Sequence, residues 1–426
     1  MDIETLYSYF LQCSAVCTDT RKIEQNCLFF ALKGDNFNGN TFAQQALDNG
    51  ASYCVVDEKA YDNERCLLVE DALKALQQLA THHRNQMIIP IIALTGSNGK
   101  TTTKELINAV LSKKFKTTAT IGNLNNHIGV PLTLLKMTDK TDIAIIEMGA
   151  NHHKEIELLC SIAQPDYGLI TNFGKAHLEG FGSVEGVIKA KSELYDYLKS
   201  HHKTIFVNEN DAIQVKQTLQ YDNVYHFGLI TSIDAMVELI SSQPFVSLKY
   251  NDATINSQLT GMYNFNNIAV AIGVGSYFKV DSDDVVSAIE NYNPSNNRSQ
   301  LMKQGSNSII MDAYNANPTS MMAALENFKQ LSRENKALFL GDMFELGATA
   351  EMEHQHIVDY LQEHALGETY LIGKNFFKTH TNSSTIQKFE TFDDLKHQLQ
   401  KHPVENKFLL IKGSRGMALE RILELI

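Results

Sequence analysis

The chain has 426 residues, a formal net charge of −12 and 43% hydrophobic residues, enough for roughly three domains with buried cores. The acidic balance argues against a nucleic-acid or anionic-membrane partner, and no stretch reaches the roughly 18 apolar residues of a membrane span. The opening MDIETLYSYF has no basic run and no long apolar run, so a cytoplasmic protein without stable membrane insertion is expected.

Five of the six cysteines, Cys13, Cys17, Cys27, Cys54 and Cys66, fall in the first 66 residues, and Cys160 is the sixth. None shows CxxC spacing, so reduced, buried thiols are expected rather than a zinc site or disulfide framework. Strands alternate with helices along the chain, which predicts an α/β fold. Residues 1–84 read as a small N-terminal α/β domain, with strands at 28–32 and 52–57, a helix over 41–49 between them, and an amphipathic helix over 71–86 leading out. Residues 85–294 read as a central domain built on a parallel sheet, as in P-loop ATPases. Ile88 to Leu94 is an apolar run ending at a glycine turn, followed by a helix from Lys100 to about Leu111. DIAIIEM (142–148) and DYGLITN (166–172) are further buried strands, and a helix follows around 184–199. Residues 295–426 carry strands at 308–312, 337–342, 369–373, 385–389 and 407–413, mostly separated by helices. That pattern predicts a Rossmann-like doubly wound sheet with NANP, GDM and GSRG at strand ends, where such sheets bind ligands. It has no G-x-G-x-x-G and hence no dinucleotide signature.

The strongest local signal is T-G-S-N-G-K-T-T, Thr95 to Thr102, between a buried strand and a helix. Gly96 and Gly99 let the backbone approach a phosphate, and the amides of Ser97, Asn98 and the helix start point at the anion. Lys100 is placed to bridge β- and γ-phosphates, Thr101 to ligate Mg²⁺, and Thr102 completes the loop. The common G-x-x-x-x-G-K spacing would need glycine where Leu94 stands. This loop predicts a nucleoside triphosphate, not what is done with it.

Three more groups lie downstream. Glu147 ends an apolar strand, where an acid can hold Mg²⁺ or its water shell. His177 sits in the glycine-punctuated loop N-F-G-K-A-H-L-E-G-F-G-S, as a structural histidine or a ligand to a second metal. Lys191, in A-K-S-E-L-Y on a helix, would by itself read as a solvated surface lysine.

Taken together, these four groups resemble the Mur ligase family in order and approximate spacing, and the resemblance runs the length of the chain. It implies a UDP-sugar site at Asp19, Thr20 and Arg21, where the family usually has D-S-R. It implies an adenine motif at Asn264 and Asn267, with Tyr263 replacing a common histidine. Arg298 is similar to the arginine that contacts ATP phosphates, and Asp312 to the aspartate that holds the ribose. Asn297 stands where glycine is frequent. Four strings, at 122–135, 312–321, 340–347 and 412–420, resemble the branch of the family that adds D-Ala-D-Ala, and no D-N-P-R occurs. They place Asn126, Asn315 and Asn317 among the substrate-binding residues.

The implied enzyme uses ATP and Mg²⁺ to join D-Ala-D-Ala to UDP-MurNAc-tripeptide through an acyl phosphate, and is expected to be a monomer. Thr101 and Glu147 would serve one Mg²⁺. His177 and Lys191 would serve a second, with the lysine carbamylated so that it offers oxygen ligands instead of an ammonium. A sister Mur or folylpolyglutamate-type ligase, a P-loop kinase or motor ATPase, and a nucleotide-binding regulator stay open as alternatives. The kinase or motor gives no role to His177, Lys191 or the third sheet.

Overall fold

Cys27 to Ala31 is apolar without interruption. That run forms the centre of the first of three sheets in the computed structural model, which describes residues 1–228 and 234–426. Four parallel strands, β1 (Val16–Cys17), β2 (Leu28–Phe30), β5 (Tyr53–Val56) and β6 (Cys66–Leu68), lie side by side in the order β1-β2-β5-β6. A separate hairpin pairs β3 (Lys33–Gly34) with β4 (Phe37–Asn38). Helices α1 (Ile3–Phe10) and α3 (Ala72–Gln86) cover one face of the sheet, and α2 (Ala43–Asp48) packs on the other.

The apolar stripe of α3, Ala72, Ala75, Leu76, Leu79 and Ala80, recurs at helical spacing and is buried. Its end is bolted to the next unit. Arg84 donates to the Ala163 and Gln164 carbonyls and to Asp166 at 2.8 Å, and the buried His83 bonds the Met137 carbonyl at 3.0 Å. The seam expected at 84/85 therefore falls inside a packed helix, and one continuous core runs from Leu6 to Val207. The strand expected from Ile88 starts later. Ile88 is 98% exposed, and β7 spans Ile91–Thr95, because Pro90 has no N–H to give to a central ladder.

The second sheet adds β8 (Thr117–Ala119), β9 (Ile143–Glu147), β10 (Tyr167–Ile170), β11 (Thr204–Asn208), β12 (Val224–Gly228), β13 (Ala235–Ser241), β14 (Ser247–Tyr250) and β15 (Ala253–Asn256). Its order is β15-β14-β13-β12-β11-β10-β7-β9-β8, parallel from β8 to β13 and antiparallel beyond. One face is covered by α4 (Lys100–Leu111), α10 (Met262–Tyr277) and α11 (Ser282–Glu290). The other carries α5 (Gly129–Leu134), α6 (Glu155–Ala163) and α8 (Val184–Ser200). Short helices α7 (Leu178–Phe181) and α9 (Ala212–Thr218) lie in the connections. The chain crosses from β9 on one side of β7 to β10 on the other, so a topological switch point opens at the end of β7.

The third sheet begins with an antiparallel pair, β16 (Gln300–Gln304) and β17 (Asn307–Asp312). It continues with β18 (Lys336–Gly341), β19 (Glu368–Ile372), β20 (Ile386–Phe389) and β21 (Phe408–Lys412), in the order β16-β17-β21-β18-β19-β20. Separate apolar clusters fill its two faces, one under α12 (Pro318–Gln330), α13 (Ala350–His364) and α14 (Lys374–Lys378), the other under α15 (Phe392–Lys401). Both faces being covered makes this the doubly wound sheet that the strand spacing predicts. Asn317 caps α12, accepting from Ser320 N at 2.9 Å, with Pro318 at the first helical position.

Candidate functional site

The ends of β7, β9 and β10 face those of β17 and β21 across a cavity of about 680 Å³ lined by residues of the second and third units. Its floor is the phosphate loop. β7 is fully buried, and Gly99 turns the chain into α4 at φ 78°. A Cβ on Gly99 would lie 2.5 Å from Asn267 Oδ1, so both the left-handed backbone and the close approach demand glycine. The first-turn amides of α4 have no carbonyl within the helix to bond, which leaves them for an anion.

The loop is braced from the side by residues just past β10. Asn98 N donates to Asn172 Oδ1 at 3.0 Å, while the Asn98 carbonyl accepts from Thr171 Oγ1 at 2.6 Å and Asn172 Nδ2 at 2.9 Å. Ser97 Oγ donates to the Gly174 carbonyl at 3.0 Å. Lys100 is folded back on its own loop, its Nζ donating to Gly96 O at 2.6 Å and Ser97 O at 3.3 Å. Loss of solvent lowers the Lys100 pKa; Glu147 opposes the shift and Arg298 adds to it. The ammonium therefore rests on weak neutral acceptors beside the space that an anion would fill.

Glu147 ends β9 and is almost wholly buried. Its Oε2 accepts from Thr101 Oγ1 at 2.9 Å, and its Oε1 accepts from Asn125 Nδ2 at 2.8 Å. A buried carboxylate and a hydroxyl held together supply the oxygen donors that a hard divalent cation prefers, so these residues fit Mg²⁺. Asn125 is a site residue the sequence reading missed in favour of its neighbour. The Asn126 side chain instead holds the turn into α5, accepting from Ile128 N at 3.1 Å and Gly129 N at 2.9 Å, and it is not part of the cavity wall.

Asn264 and Asn267 lie one helical turn apart at the start of α10. Asn267 Nδ2 donates to Asn264 Oδ1 at 2.9 Å, and Asn267 Oδ1 accepts from Thr103 at 3.1 Å. Across the cavity, Arg298 stacks its guanidinium 3.6 Å above the ring of Tyr314. Asp312 accepts from the buried Lys412 at 2.6 Å and from Ser299 N at 3.0 Å. A carboxylate has about four acceptor positions, so Asp312 keeps capacity for a ligand hydroxyl. Asn315 and Asn317 line the same wall, and Asn317 Nδ2 reaches the phosphate loop itself, donating to Asn98 Oδ1 at 2.7 Å. Sequence reasoning also missed Tyr314, Lys412 and Glu345, all on this wall.

His177 and Lys191, the expected ligands of a second metal, are each held by a different partner. His177 lines the cavity, but its ring pairs with Glu345 of the third unit, and that bond lowers the Glu345 pKa. Lys191 is fully buried, behind Ala150, and is not part of the wall. Its Nζ donates to the Ala150 carbonyl at 3.0 Å and sits 5.1 Å from the centre of the Phe181 ring. The surface reading of this lysine is wrong. It lies in the buried stripe of α8, Val187, Ala190, Lys191, Leu194 and Leu198, a spacing visible in the sequence. Burial, and then the charge of Lys100, brings its pKa down to about 7. Among the described residues, no three His, Cys, Asp or Glu side chains form a metal-sized group.

Asp19, Thr20 and Arg21 stand apart from this cavity, in the first unit. Arg21 is highly exposed and makes a bidentate pair with Asp19, at 2.9 Å through Nε and 2.8 Å through Nη2. No helix among the described residues is long and apolar enough to cross a membrane.

The fold and cavity define a P-loop enzyme whose site is completed by a second, Rossmann-like sheet. Residues 12–84 match the model of the "Mur ligase family, catalytic domain", residues 94–275 the "Mur ligase middle domain" and residues 297–415 the "Mur ligase, glutamate ligase domain". The chain belongs to the Mur ligase family and is an ATP-dependent ligase. It is 35% identical to the UDP-N-acetylmuramoyl-tripeptide–D-alanyl-D-alanine ligase of Bacillus subtilis, covering 96% of this chain and 92% of that one. Against the same-named ligase of Escherichia coli the identity is 33%, with 96% and 92% covered. Among solved structures, MurF from Acinetobacter baumannii superimposes with a TM-score of 0.86 at 29% identity, over 99% of this chain and 97% of that one. MurF ligase from Thermotoga maritima in complex with ADP gives 0.83 at 25% identity, over 98% and 97%.

Proposed function

We propose that this enzyme joins D-Ala-D-Ala to UDP-MurNAc-tripeptide in the cytoplasm, using ATP and Mg²⁺, to make the pentapeptide precursor of peptidoglycan. The observation that carries this reading is one cavity in which the phosphate loop, the Glu147–Thr101–Asn125 cluster and the Arg298–Asp312 wall face each other. The activity named for the relatives above supports the choice of substrates.

A carboxylate is a poor electrophile, and its charge repels the γ-phosphate it must attack. Lys100 is placed to leave the Gly96 and Ser97 carbonyls for the β- and γ-phosphates, trading neutral acceptors for anionic ones. Thr101 and Glu147 would hold Mg²⁺, which supplies Lewis-acid charge for the transferring phosphoryl group. Arg298, fixed on Tyr314, adds a second cation toward the phosphates, and Asp312 takes the ribose. Asn264 and Asn267 frame the base. The tripeptide carboxylate attacks the γ-phosphorus and ADP leaves. The dipeptide amine then attacks the acyl carbon, the amide bond forms, and phosphate departs. Enclosure between the two units keeps water from the acyl phosphate. Asp19, Thr20 and Arg21 bind the UDP-sugar end in the first unit.

Phosphate release measured with each substrate omitted in turn tests this reading. Release that requires both UDP-MurNAc-tripeptide and D-Ala-D-Ala is expected. Equal release without either would overturn it in favour of an ATPase.

A further inference from the structure

Two of the cysteines in the first unit form a chemical pair. Cys17 ends β1, a two-residue strand at the sheet edge, and Cys27 immediately precedes β2, the neighbour of β1. Cys17 stands opposite Phe29, so Cys27 lies two residues back on the adjacent strand and on the same face. Both belong to one apolar layer, with Cys27 fully buried and Cys17 partly buried beside it. As a thiol, Cys17 donates to the carbonyls of Asp19 at 3.1 Å and Lys22 at 3.4 Å, stapling the turn that presents Asp19 and Arg21. The neighbouring Cys27 thiol brings Cys17 down to about 7, while Cys17 and burial push Cys27 up. A partly buried thiol of lowered pKa beside a fully buried second thiol is the arrangement of a peroxide-reactive cysteine with its resolving partner.

We propose that Cys17 and Cys27 are a redox-sensing pair, in which peroxide closes an intramolecular disulfide that displaces the Asp19–Lys22 turn. The Cys17 thiolate attacks one peroxide oxygen, the O–O bond breaks, and a sulfenic acid and one water result. The Cys27 sulfur then attacks the sulfenic sulfur, the S–S bond forms, and a second water leaves. Two thiols and one hydrogen peroxide thus give one disulfide and two waters. The diagonal between the two Cα atoms is roughly 8 Å from ordinary strand spacing and rise, beyond the roughly 7 Å that a disulfide spans without backbone movement. β2 is held on both sides, whereas β1 has one neighbour and two residues, so β1 moves and the turn goes with it. The functional consequence rests on the proposed role of Asp19 and Arg21 in UDP-sugar recognition.

The test uses the full chain, reduced or titrated with hydrogen peroxide, then alkylated and digested with trypsin. Peptides 1–21 and 23–33 should appear joined, two hydrogens lighter than their sum, with fragmentation placing the link at Cys17 rather than Cys13. Cys27→Ser should instead accumulate a dimedone-reactive sulfenic acid at Cys17. Affinity for UDP-MurNAc-tripeptide should fall by about 10-fold or more on oxidation and return with dithiothreitol, while ATP affinity stays within about 2-fold. Cys17→Ser should bind the UDP substrate equally well with and without peroxide. A link at Cys13, both thiols surviving peroxide, or unchanged UDP-substrate affinity after the disulfide has formed would each overturn the proposal. Absence of UDP-substrate binding in the reduced protein would instead defeat the assignment of the Asp19–Arg21 site, while the disulfide readout still decides whether the pair is redox-active.

Discussion

Replacing Lys191 with Met removes an ammonium from a fully buried position and keeps most of its apolar volume. In the folded protein its pKa falls from 10.5 to about 7, through burial first and Lys100 second. The unfolded chain holds that proton up to 10.5, so folding must either expel it or bury the charge. A base whose folded pKa is depressed costs stability. The cost is full below pH 7, shrinks as pH rises between the two pKa values, and vanishes above the unfolded one. Linkage puts it at about 5 kcal/mol near pH 5, about 4 near pH 7.5 and about 2 near pH 9. Lys191→Met should therefore unfold at higher urea than the wild type at pH 7.5, and roughly half of that gain should be gone by pH 9. The chain has no tryptophan, so tyrosine fluorescence in CO₂-free buffer is the readout. A mutant less stable than the wild type at every pH, or a gain that does not shrink, refutes the reasoning. Turnover measured on the same samples separates the two roles of the residue. A stabilised but inactive mutant keeps Lys191 in the chemistry as amine or carbamate, whereas wild-type turnover removes it.

Lys100→Ala should leave the fold intact, because its partners in the free protein are two carbonyls of its own loop, and should lower kcat/KM on the order of 10³-fold; near-normal turnover in a folded mutant would remove the phosphate-loop assignment. Asn125→Ala frees one oxygen of Glu147, and should raise the Mg²⁺ concentration needed for half-maximal rate about 10-fold, a shift absent if Asn125 only lines the wall. Arg21→Ala removes an exposed side chain whose partner is Asp19, so it should weaken UDP-MurNAc-tripeptide binding with unchanged ATP affinity and unchanged melting temperature. Limited proteolysis should cut in the 291–299 connection between α11 and β16 and spare residues 72–86, with early cleavage near 85 contradicting the packing of α3.

The elements that showed in the sequence are those buried on both faces. β7, β9 and β10 are continuous apolar runs because sheet and helices cover them on each side, and the third sheet shows its strands for the same reason. β13 alternates buried and exposed residues and so gives no continuous apolar run, and β12, β14 and β15 went unread with it; β11 went unread although it is as buried as β10. The phosphate loop was legible because its chemistry is local, held in eight consecutive residues. The His177–Glu345 pair was not, since it joins positions far apart in sequence through the meeting of two sheets. Asn125 and Asn126 show the limit in miniature. Adjacent and chemically identical, one orients Glu147 and the other holds the turn into α5, and only the backbone direction decides which.

The two junctions in this chain differ in kind, and the difference bears on how the cavity works. One apolar cluster spans the first and second units, so sliding them apart would expose core side chains. Among the described residues, no apolar cluster joins the second unit to the third. Their links are polar: Asn317 to Asn98, Lys175 to Glu353 at 2.7 Å, His177 to Glu345, and Gln243 to Asn327 at 2.9 Å. These part-buried polar pairs replace bonds that each group could make to water, so their net worth is small beside a buried apolar seam of domain size. The first unit and the phosphate loop thus form one rigid base, and the third unit is held over it by contacts that water can replace. Those contacts involve the residues that ligands would engage: Asn98 is in the phosphate loop, and His177 lines the cavity. Ligand binding and the seating of the third unit therefore draw on the same side chains. A site that must admit a nucleotide and two further substrates, then exclude water from an acyl phosphate, needs a wall that is weakly held when empty and tightened by what it encloses.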